Sequence, residues 1–267
     1  MEHAGRHKIE IDGVSKIFRK NGKDVTALQE TSLGIERGRF VSIIGPSGCG
    51  KSTLFNIIAG LVPPSTGRVL ADGANIVGKT GHVGYMLQKD MLLPWRTILD
   101  NIVLGMEIRG VPRRQAVERA LPLMERYGLK GFDRHYPKEL SGGMRQRAAL
   151  LRTLLYDRDV ILLDEPFGAL DAQTRITMQN WLLQLWADFG KTVLFVTHDI
   201  DEAIYLSDDI YVFTARPGRI KTKVTVNMER PRKQEDLTSP AFMELKNHLL
   251  KLLAVEQRTA QDEEKIS

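Results

Sequence analysis

The chain has 267 residues and a net charge of +5, and 42% of its residues are apolar and 27% charged. This composition is typical of a globular protein and excludes a fibrous or disordered chain. A single cysteine excludes an intramolecular disulfide framework, and no stretch reaches the roughly 18 uninterrupted apolar residues of a membrane span.

The positive charge does not by itself indicate a nucleic-acid partner. Lysine and arginine are scattered along the chain without the interleaved aromatic residues that single-strand binding proteins use. The polar stretch Met1–Lys8 does not have the pattern of a signal peptide. We therefore expect a solvated basic surface and no nucleic acid.

The first part of the chain predicts strands. Residues 8–40 alternate apolar and polar side chains in short runs punctuated by glycine, which favours antiparallel strands. The apolar run Phe40–Ile44 predicts a buried strand, and a glycine-rich loop then leads to a helix that should begin near Ser52. Two more apolar runs, 160–163 and 193–196, alternate with helical segments, which indicates a parallel sheet covered on both faces.

Three further helices are predicted from apolar residues at helical spacing. The predicted buried faces are Val117, Ala120, Leu121 and Met124 in the first, and Met178, Trp181, Leu182, Leu185 and Trp186 in the second, which spans 172–188. A third helix should begin at Ser239 as its cap and Pro240 in its first turn. The polar tail from Glu256 is expected to fray.

The loop after Phe40–Ile44 matches the phosphate-loop pattern G-x-x-x-x-G-K-[ST]. Its glycines let phosphate oxygens reach backbone N–H groups, and the following helix directs its positive end at the same anion. Lys51 is suited to the β- and γ-phosphates and Ser52 to Mg²⁺. The candidate ATP-binding residues are Gly45, Pro46, Ser47, Gly48, Cys49, Gly50, Lys51, Ser52 and Thr53.

Cys49 lies inside this loop, next to a helix N-terminus, where the pKa of a thiol tends to fall. This predicts that a bulky thiol reagent inactivates the protein and that MgATP protects it. The alternative is an inert small residue.

Two adjacent carboxylates follow the apolar run 160–163. Ligands of open α/β sheets bind at the carboxyl ends of the strands, where Asp164 and Glu165 stand. Asp164 is suited to hold Mg²⁺, and Glu165 to orient or deprotonate an attacking water. The sequence Leu140-Ser141-Gly142-Gly143 predicts a second anion site, because Ser141 can cap a helix whose first N–H groups the glycines expose.

Two phosphate-reading helix ends with one phosphate loop suggest that each end serves a different nucleotide. Over about residues 8–228 the sequence resembles the ABC transporter ATPase family, in which the L-S-G-G signature completes the ATP site of the other subunit. The resemblance implies that ATP and Mg²⁺ are the cofactors and that two copies form the working ATPase. The residues implied to act in trans are Ser141, Gly142, Gly143, Gln146 and Asp171.

The resemblance also implies roles for three residues in the ATP site of the same chain that carries the phosphate loop. Phe18 lies where the family stacks an aromatic ring on adenine, and His198 resembles the histidine that reaches the γ-phosphate. Gln88 looks like the Q-loop glutamine, which contacts Mg²⁺ or water. The implied catalytic residues are Glu165, His198, Lys51 and Gln88, and the implied Mg²⁺ ligands are Ser52, Gln88 and Asp164.

The implied fold is α/β: a P-loop NTPase core with a mixed parallel sheet, an N-terminal antiparallel β subdomain and an inserted α-helical subdomain. Residues 1–267 would form a single ABC ATPase domain. Its predicted parts are a core at about 1–88 and 156–228, a helical subdomain at about 89–155, and a C-terminal helix and tail at about 229–267.

The segments Gln88–Trp95 and Ala215–Ile220 resemble importers of the nitrate, sulfonate and taurine group. This implies membrane permease subunits and a solute-binding protein as partners, and a peripheral position on the cytoplasmic face of a bacterial-type inner membrane. Two alternatives stay open, namely the ATPase of an exporter or lipid transporter, and a non-transport ABC ATPase of DNA repair or translation.

Overall fold

The computed structural model of the protein describes residues 7–20 and 22–264. Most of the polar N-terminal stretch that was tested for a signal peptide lies outside the described residues. The strands, in chain order, are β1 (His7–Lys20), β2 (Lys23–Glu36), β3 (Phe40–Ile44), β4 (Thr66–Ala71), β5 (Ala74–Asn75), β6 (Gly84–Met86), β7 (Val160–Asp164), β8 (Thr192–Val196), β9 (Asp209–Phe213) and β10 (Ile220–Thr225). The helices are α1 (Lys51–Ile58), α2 (Ile98–Ile108), α3 (Arg113–Arg126), α4 (Gly142–Leu155), α5 (Ala172–Phe189), α6 (Ile200–Leu206) and α7 (Pro240–Glu264).

The chain divides into two compact units, one made of residues 1–82 with 192–267 and the other of residues 83–191. The first unit contains an antiparallel sheet in the strand order β2-β1-β4-β5. Ile9 pairs with Ile35 and Ile11 with Leu33 across β1 and β2. All four are buried, so the alternating pattern of residues 8–40 places one face of this sheet in the core.

The first unit also contains the phosphate-loop strand. β3 pairs in parallel with β8 on one side and β9 on the other, and β10 pairs antiparallel with β9. All residues of β3, β8 and β9 are buried, which explains their continuous apolar runs. Ser42, the polar exception in β3, shares a hydrogen bond with Ser207.

In the second unit, β6 and β7 pair in parallel. The same unit contains helices α2 to α5. α4 packs against α2, and α3 packs against both α2 and α4. The predicted core face of α5 is confirmed for Met178, Trp181, Leu182 and Leu185.

The predicted core face of α3 needs a correction. Ala116, Ala120 and Met124 are buried, whereas Leu121 is 42% exposed. The buried stripe therefore starts one residue earlier than predicted, because Ala116 rather than Val117 is the fully buried residue at its N-terminal end.

The terminal helix α7 begins as predicted, since the Oγ of Ser239 accepts a hydrogen bond from the N–H of Phe242 at 3.3 Å. It does not fray at Glu256, because the helix continues to Glu264 and Glu256 itself is buried. No helix among the described residues is long and apolar enough to cross a membrane. The parallel strands, the antiparallel N-terminal sheet and the helices confirm the predicted α/β fold class.

Candidate active site

The phosphate loop joins β3 to α1. Gly50 is the residue before α1 and has a φ of 102°, in the left-handed region that favours glycine. A Cβ at Gly50 would lie 2.5 Å from the carbonyl oxygen of Ala27. No side chain caps α1 and its first turn has no acidic residue, so the first N–H groups and the positive end of the helix dipole suit an anion.

Lys51 is 6% exposed and points back into its own loop. Its Nζ donates hydrogen bonds to the carbonyl oxygens of Gly45 and Pro46, both at 2.8 Å, and lies 3.6 Å from the Sγ of Cys49. Ser47 and Ser52 are exposed. The loop thus holds a buried ammonium group together with two exposed hydroxyl side chains.

Cys49 differs from the prediction made from the sequence. It is fully buried, and burial raises the pKa of its thiol, even though the nearby Lys51 acts to lower it. The expectation of a lowered thiol pKa was wrong, because desolvation outweighs the neighbouring charge.

His198 follows β8, the parallel neighbour of β3. The N–H of Thr197 donates to the carbonyl oxygen of Ile43 at 3.3 Å, so His198 emerges at the edge of the sheet where the phosphate loop begins. The hydroxyl of Thr197 donates to Oε2 of the buried Glu202 at 2.7 Å and accepts from the N–H of Asp199 at 3.0 Å. These bonds fix the backbone on both sides of the exposed His198.

Phe18 lies on β1 in the same unit and is 40% exposed. The Nζ of Lys16 lies 5.0 Å from the centre of its ring, within the range of a cation–π contact. Sequence reasoning missed Lys16, although its spacing of two residues from Phe18 on a strand places both side chains on one face.

The second unit holds the two carboxylates at the end of β7. Asp164 is 6% exposed, and the hydroxyl of Tyr85 donates to its Oδ2 at 3.5 Å. Burial, and then the charge of Asp164, raise the pKa of Tyr85, so Tyr85 stays a donor. Tyr85 was not predicted as a site residue, although it lies on the strand that leads to Gln88 and alternates with two buried neighbours.

Glu165 has a φ of 44°, a left-handed conformation that is rare for a residue with a side chain. Its half-buried carboxylate accepts a hydrogen bond from Nε2 of Gln88 to Oε2 at 3.2 Å. The structure therefore brings Gln88 and Glu165 together. Backbone strain of this kind persists where the surroundings hold it and is common at functional sites.

The predicted second anion site is at the start of α4. The Oγ of Ser141 accepts from the N–H of Met144 at 3.3 Å, and Ser141 and Gly142 are exposed. A Cβ at Gly143 would lie 2.9 Å from the Cγ2 of Thr174 at the start of α5, so Gly143 permits a close approach of the two helix starts.

Asp171 caps the N-terminus of α5, next to Gly143. Its Oδ1 accepts from the N–H of Thr174 at 3.0 Å, and the hydrogen bonds from Thr174 lower its pKa. Gln146 does not share this exposed surface. It is 6% exposed and its side-chain amide donates to the carbonyl oxygen of Pro166, just after Glu165.

The chain is similar to known proteins over most of its length. A family model described as ABC transporter matches residues 28–168. An uncharacterized ABC transporter ATP-binding protein of Methanocaldococcus jannaschii is 48% identical over 246 residues, which cover 92% of this chain and 91% of that protein. The aliphatic sulfonates import ATP-binding protein SsuB of Bacillus cereus is 44% identical over 242 residues, which cover 91% of this chain and 94% of that protein.

Among solved structures, a dimeric post-hydrolysis state of an ATP-binding cassette bound to ADP and Pi is 31% identical, with a TM-score of 0.72. The match covers 83% of this chain and 100% of that chain. The P-loop fold and the resemblance drawn from the motifs are thereby confirmed, and the chain belongs to the ABC transporter family as one of its ATP-binding cassettes.

Proposed function

We propose that this chain is the ATP-binding and ATP-hydrolysing subunit of an ABC importer. The observation that carries the catalytic part is the hydrogen bond between Gln88 and Glu165, with Glu165 held in a left-handed conformation at the end of β7. A strained carboxylate beside an amide is an arrangement suited to bind and deprotonate one water molecule.

In the first unit, the backbone N–H groups from Gly48 to Ser52 bind the phosphates of ATP. Lys51 exchanges its bonds to the loop carbonyls for oxygens of the β- and γ-phosphates, which bear full negative charge. Phe18 offers one ring face to adenine while Lys16 occupies the other. His198 stabilises charge that develops on the γ-phosphate.

In the second unit, Glu165 accepts a proton from the attacking water, and the amide of Gln88 orients the same water. The water oxygen then bonds to the γ-phosphorus while the bond to the bridging oxygen breaks, which releases ADP and phosphate. Gln146 is assigned a supporting role rather than ATP contact, because its amide is buried on the Pro166 carbonyl.

The residue types at the proposed magnesium ligands suit an ion that would be bound mainly by the nucleotide. No group of three or more His, Cys, Asp or Glu side chains in the described part of the chain could hold a metal ion. Mg²⁺ needs few protein ligands when phosphates supply the rest, and Ser52, Asp164 and Gln88 offer oxygen donors. When bound, Mg²⁺ neutralises charge on the phosphates.

A second copy of the chain completes each ATP site. Ser141, Gly142 and Gly143 present the start of α4, and Asp171 lies beside them, but the second unit has no phosphate loop of its own. This exposed helix start suits the γ-phosphate held by another copy. The dimeric cassette that matches this chain supports the same assembly.

The importer class is supported by the relative that imports aliphatic sulfonates. We propose a small solute of the sulfonate, taurine or nitrate type, membrane permease subunits, a solute-binding protein, and a position on the cytoplasmic face of the membrane. Trp95 and Met91 are 71% and 55% exposed, and side chains of this kind are typical anchors for a protein partner.

The hydrolysis proposal is tested with Glu165→Gln, which keeps the size of the side chain and removes the proton acceptor. We expect steady-state ATPase activity to fall by about 100-fold or more, while MgATP affinity measured by calorimetry stays within about twofold of wild type. Glu118→Gln on the exposed face of α3 is the matched control and should keep full activity. Wild-type turnover in Glu165→Gln would refute the assignment.

The importer proposal is tested by affinity purification of the tagged chain from detergent-solubilised membranes. We expect a permease and a solute-binding protein to be recovered together with it. Recovery of a membrane subunit without a solute-binding protein, after mild cross-linking, would contradict the importer class and favour an exporter or lipid transporter.

A further inference from the structure

The loop between β9 and β10 lies against the phosphate loop within the first unit. A Cβ at Gly218 would lie only 1.7 Å from the carbonyl oxygen of Cys49, so the backbone of Gly218 is in direct contact with that carbonyl. The N–H of Gln29 donates to the carbonyl oxygen of Gly218 at 2.8 Å. The position of Gly218 therefore limits where the backbone of Cys49 can lie.

The two ends of this loop are joined by hydrogen bonds. The N–H of Thr214 donates to the carbonyl oxygen of Arg219 at 2.9 Å, and the N–H of Arg219 donates to the hydroxyl of Thr214 at 3.1 Å. A displacement of Ala215, on the α7 side of the loop, should therefore also move Gly218, on the side of the phosphate loop. In the same loop, the N–H of the buried Ala215 points at α7.

Glu256 on α7 accepts that donor. Its Oε2 accepts from the N–H of Ala215 at 3.0 Å and its Oε1 accepts from Nζ of Lys221 at 2.7 Å, while the residue is 8% exposed. Burial acts to raise the pKa of Glu256, but the bonds from Lys221 and Ala215 outweigh it and the pKa is lowered. The carboxylate is therefore ionised at neutral pH.

We propose that Glu256 is a positioning residue for the phosphate loop, acting through Ala215 and Gly218 on the backbone of Cys49. α7 packs against α6 and β9, so its carboxylate is a fixed point to which the β9–β10 loop is attached. Charge-assisted hydrogen bonds are stronger than neutral ones, and phosphate binding by backbone N–H groups depends on their placement to a few tenths of an ångström. The inference rests on the proposed role of the phosphate loop in binding nucleotide.

The experiment measures the dissociation constant of MgADP by calorimetry at 20 °C, together with the thermal unfolding midpoint of the ligand-free chain. We expect Glu256→Ala to raise the dissociation constant about tenfold, because it removes both hydrogen bonds. Glu256→Gln keeps an acceptor for Ala215 and should raise it by only about threefold. Gly218→Ala would place a methyl group against the Cys49 carbonyl oxygen, and this overpacking should raise the dissociation constant by at least about tenfold.

A control variant and the unfolding midpoint separate a positioning role of Glu256 from a purely structural one. Glu244→Gln removes the same charge from an exposed position of α7 and should leave the dissociation constant unchanged. A purely structural role for Glu256 would lower the unfolding midpoint and leave MgADP affinity of the folded chain unchanged, and that result overturns the inference. If Gly218→Ala does not fold, the graded pair Glu256→Gln and Glu256→Ala still decides it.

Lys51→Ala distinguishes a failure of this inference from a failure of the proposed nucleotide site. If Lys51→Ala weakens MgADP binding while the Glu256 variants do not, the inference fails and the phosphate loop stands. If Lys51→Ala also binds MgADP with wild-type affinity, the proposed role of the loop fails as well.

Discussion

The two units position their candidate functional residues in different ways. In the first unit the phosphate loop is shaped by backbone contacts, with Gly50 against Ala27 and Gly218 against Cys49. In the second unit the carboxylates are oriented by side chains, with Gln88 on Glu165 and Tyr85 on Asp164. Binding of phosphate requires fixed N–H groups, whereas proton transfer requires a carboxylate of defined direction.

This difference predicts different responses to mutation. Adding one carbon atom to the backbone-built half should disturb binding and stability together, because close packing leaves it no room. Removing one polar atom from the side-chain-built half should change catalysis while the fold is kept, because each single hydrogen bond there contributes only a small net free energy.

The largest effect is expected for Gly50→Ala. Its φ of 102° and the 2.5 Å approach of a Cβ to the Ala27 carbonyl oxygen both oppose a side chain. We expect a loss of unfolding free energy of about 2 kcal/mol or more and at least an order-of-magnitude loss of MgADP affinity, measured by urea denaturation and calorimetry.

Gly73→Ala is the matched control for that change. Gly73 has a φ of 76° in the same unit, but no atom lies within 4 Å of where its Cβ would be. It should lose only about 1 kcal/mol and bind MgADP normally. An equal loss of unfolding free energy in the two variants would mean that the positive φ, rather than the contact with Ala27, accounts for the cost at Gly50.

A smaller effect is expected for Tyr85→Phe. The substitution removes the hydroxyl that contacts Asp164 and should raise the Mg²⁺ concentration needed for half-maximal ATPase activity by about two- to threefold. Tyr211→Phe removes a buried hydroxyl that donates to the Gly34 carbonyl oxygen at 2.9 Å, and it should lower stability without changing the Mg²⁺ requirement. An unchanged Mg²⁺ requirement in Tyr85→Phe would show that Asp164 needs no such donor.

The smallest effect concerns Cys49. Because burial raises its pKa, the folded chain holds less thiolate at neutral pH than a free thiol, whose pKa is about 8.5. Iodoacetamide labelling at pH 7 should be slower in the folded chain than in guanidinium chloride, and it should accelerate only well into the alkaline range. Rapid labelling of the folded chain at pH 7 would show that the loop opens often enough to expose the thiol.

The sequence predicted the strands of the site well, because local apolar runs determine them. Phe40–Ile44 has the predicted limits, and β7 and β8 differ by single residues from 160–163 and 193–196. Contacts between distant segments could not be predicted. Gly218 against Cys49, and Ala215 against Glu256, depend on how the whole first unit packs.

Burial was also hard to predict at single positions. Glutamine is usually a surface residue, but Gln146 is buried and its amide donates to the Pro166 carbonyl oxygen. Leucine is usually a core residue, but Leu121 is exposed. In both cases the direction of a helix face decides the environment, and a rotation of one residue reverses the outcome. The sequence signals for helix starts were more reliable, since Ser141, Asp171 and Ser239 all act as caps.

The left-handed backbone of Glu165 has a practical consequence for improving this protein. Asparagine or glycine adopts that conformation more easily than glutamate does, so a library screened only for survival on heating would be enriched in substitutions at this position. Such variants would keep the fold and lose the proposed proton acceptor. Selection for robustness and selection for turnover therefore oppose each other at this one residue, and a useful screen has to apply both.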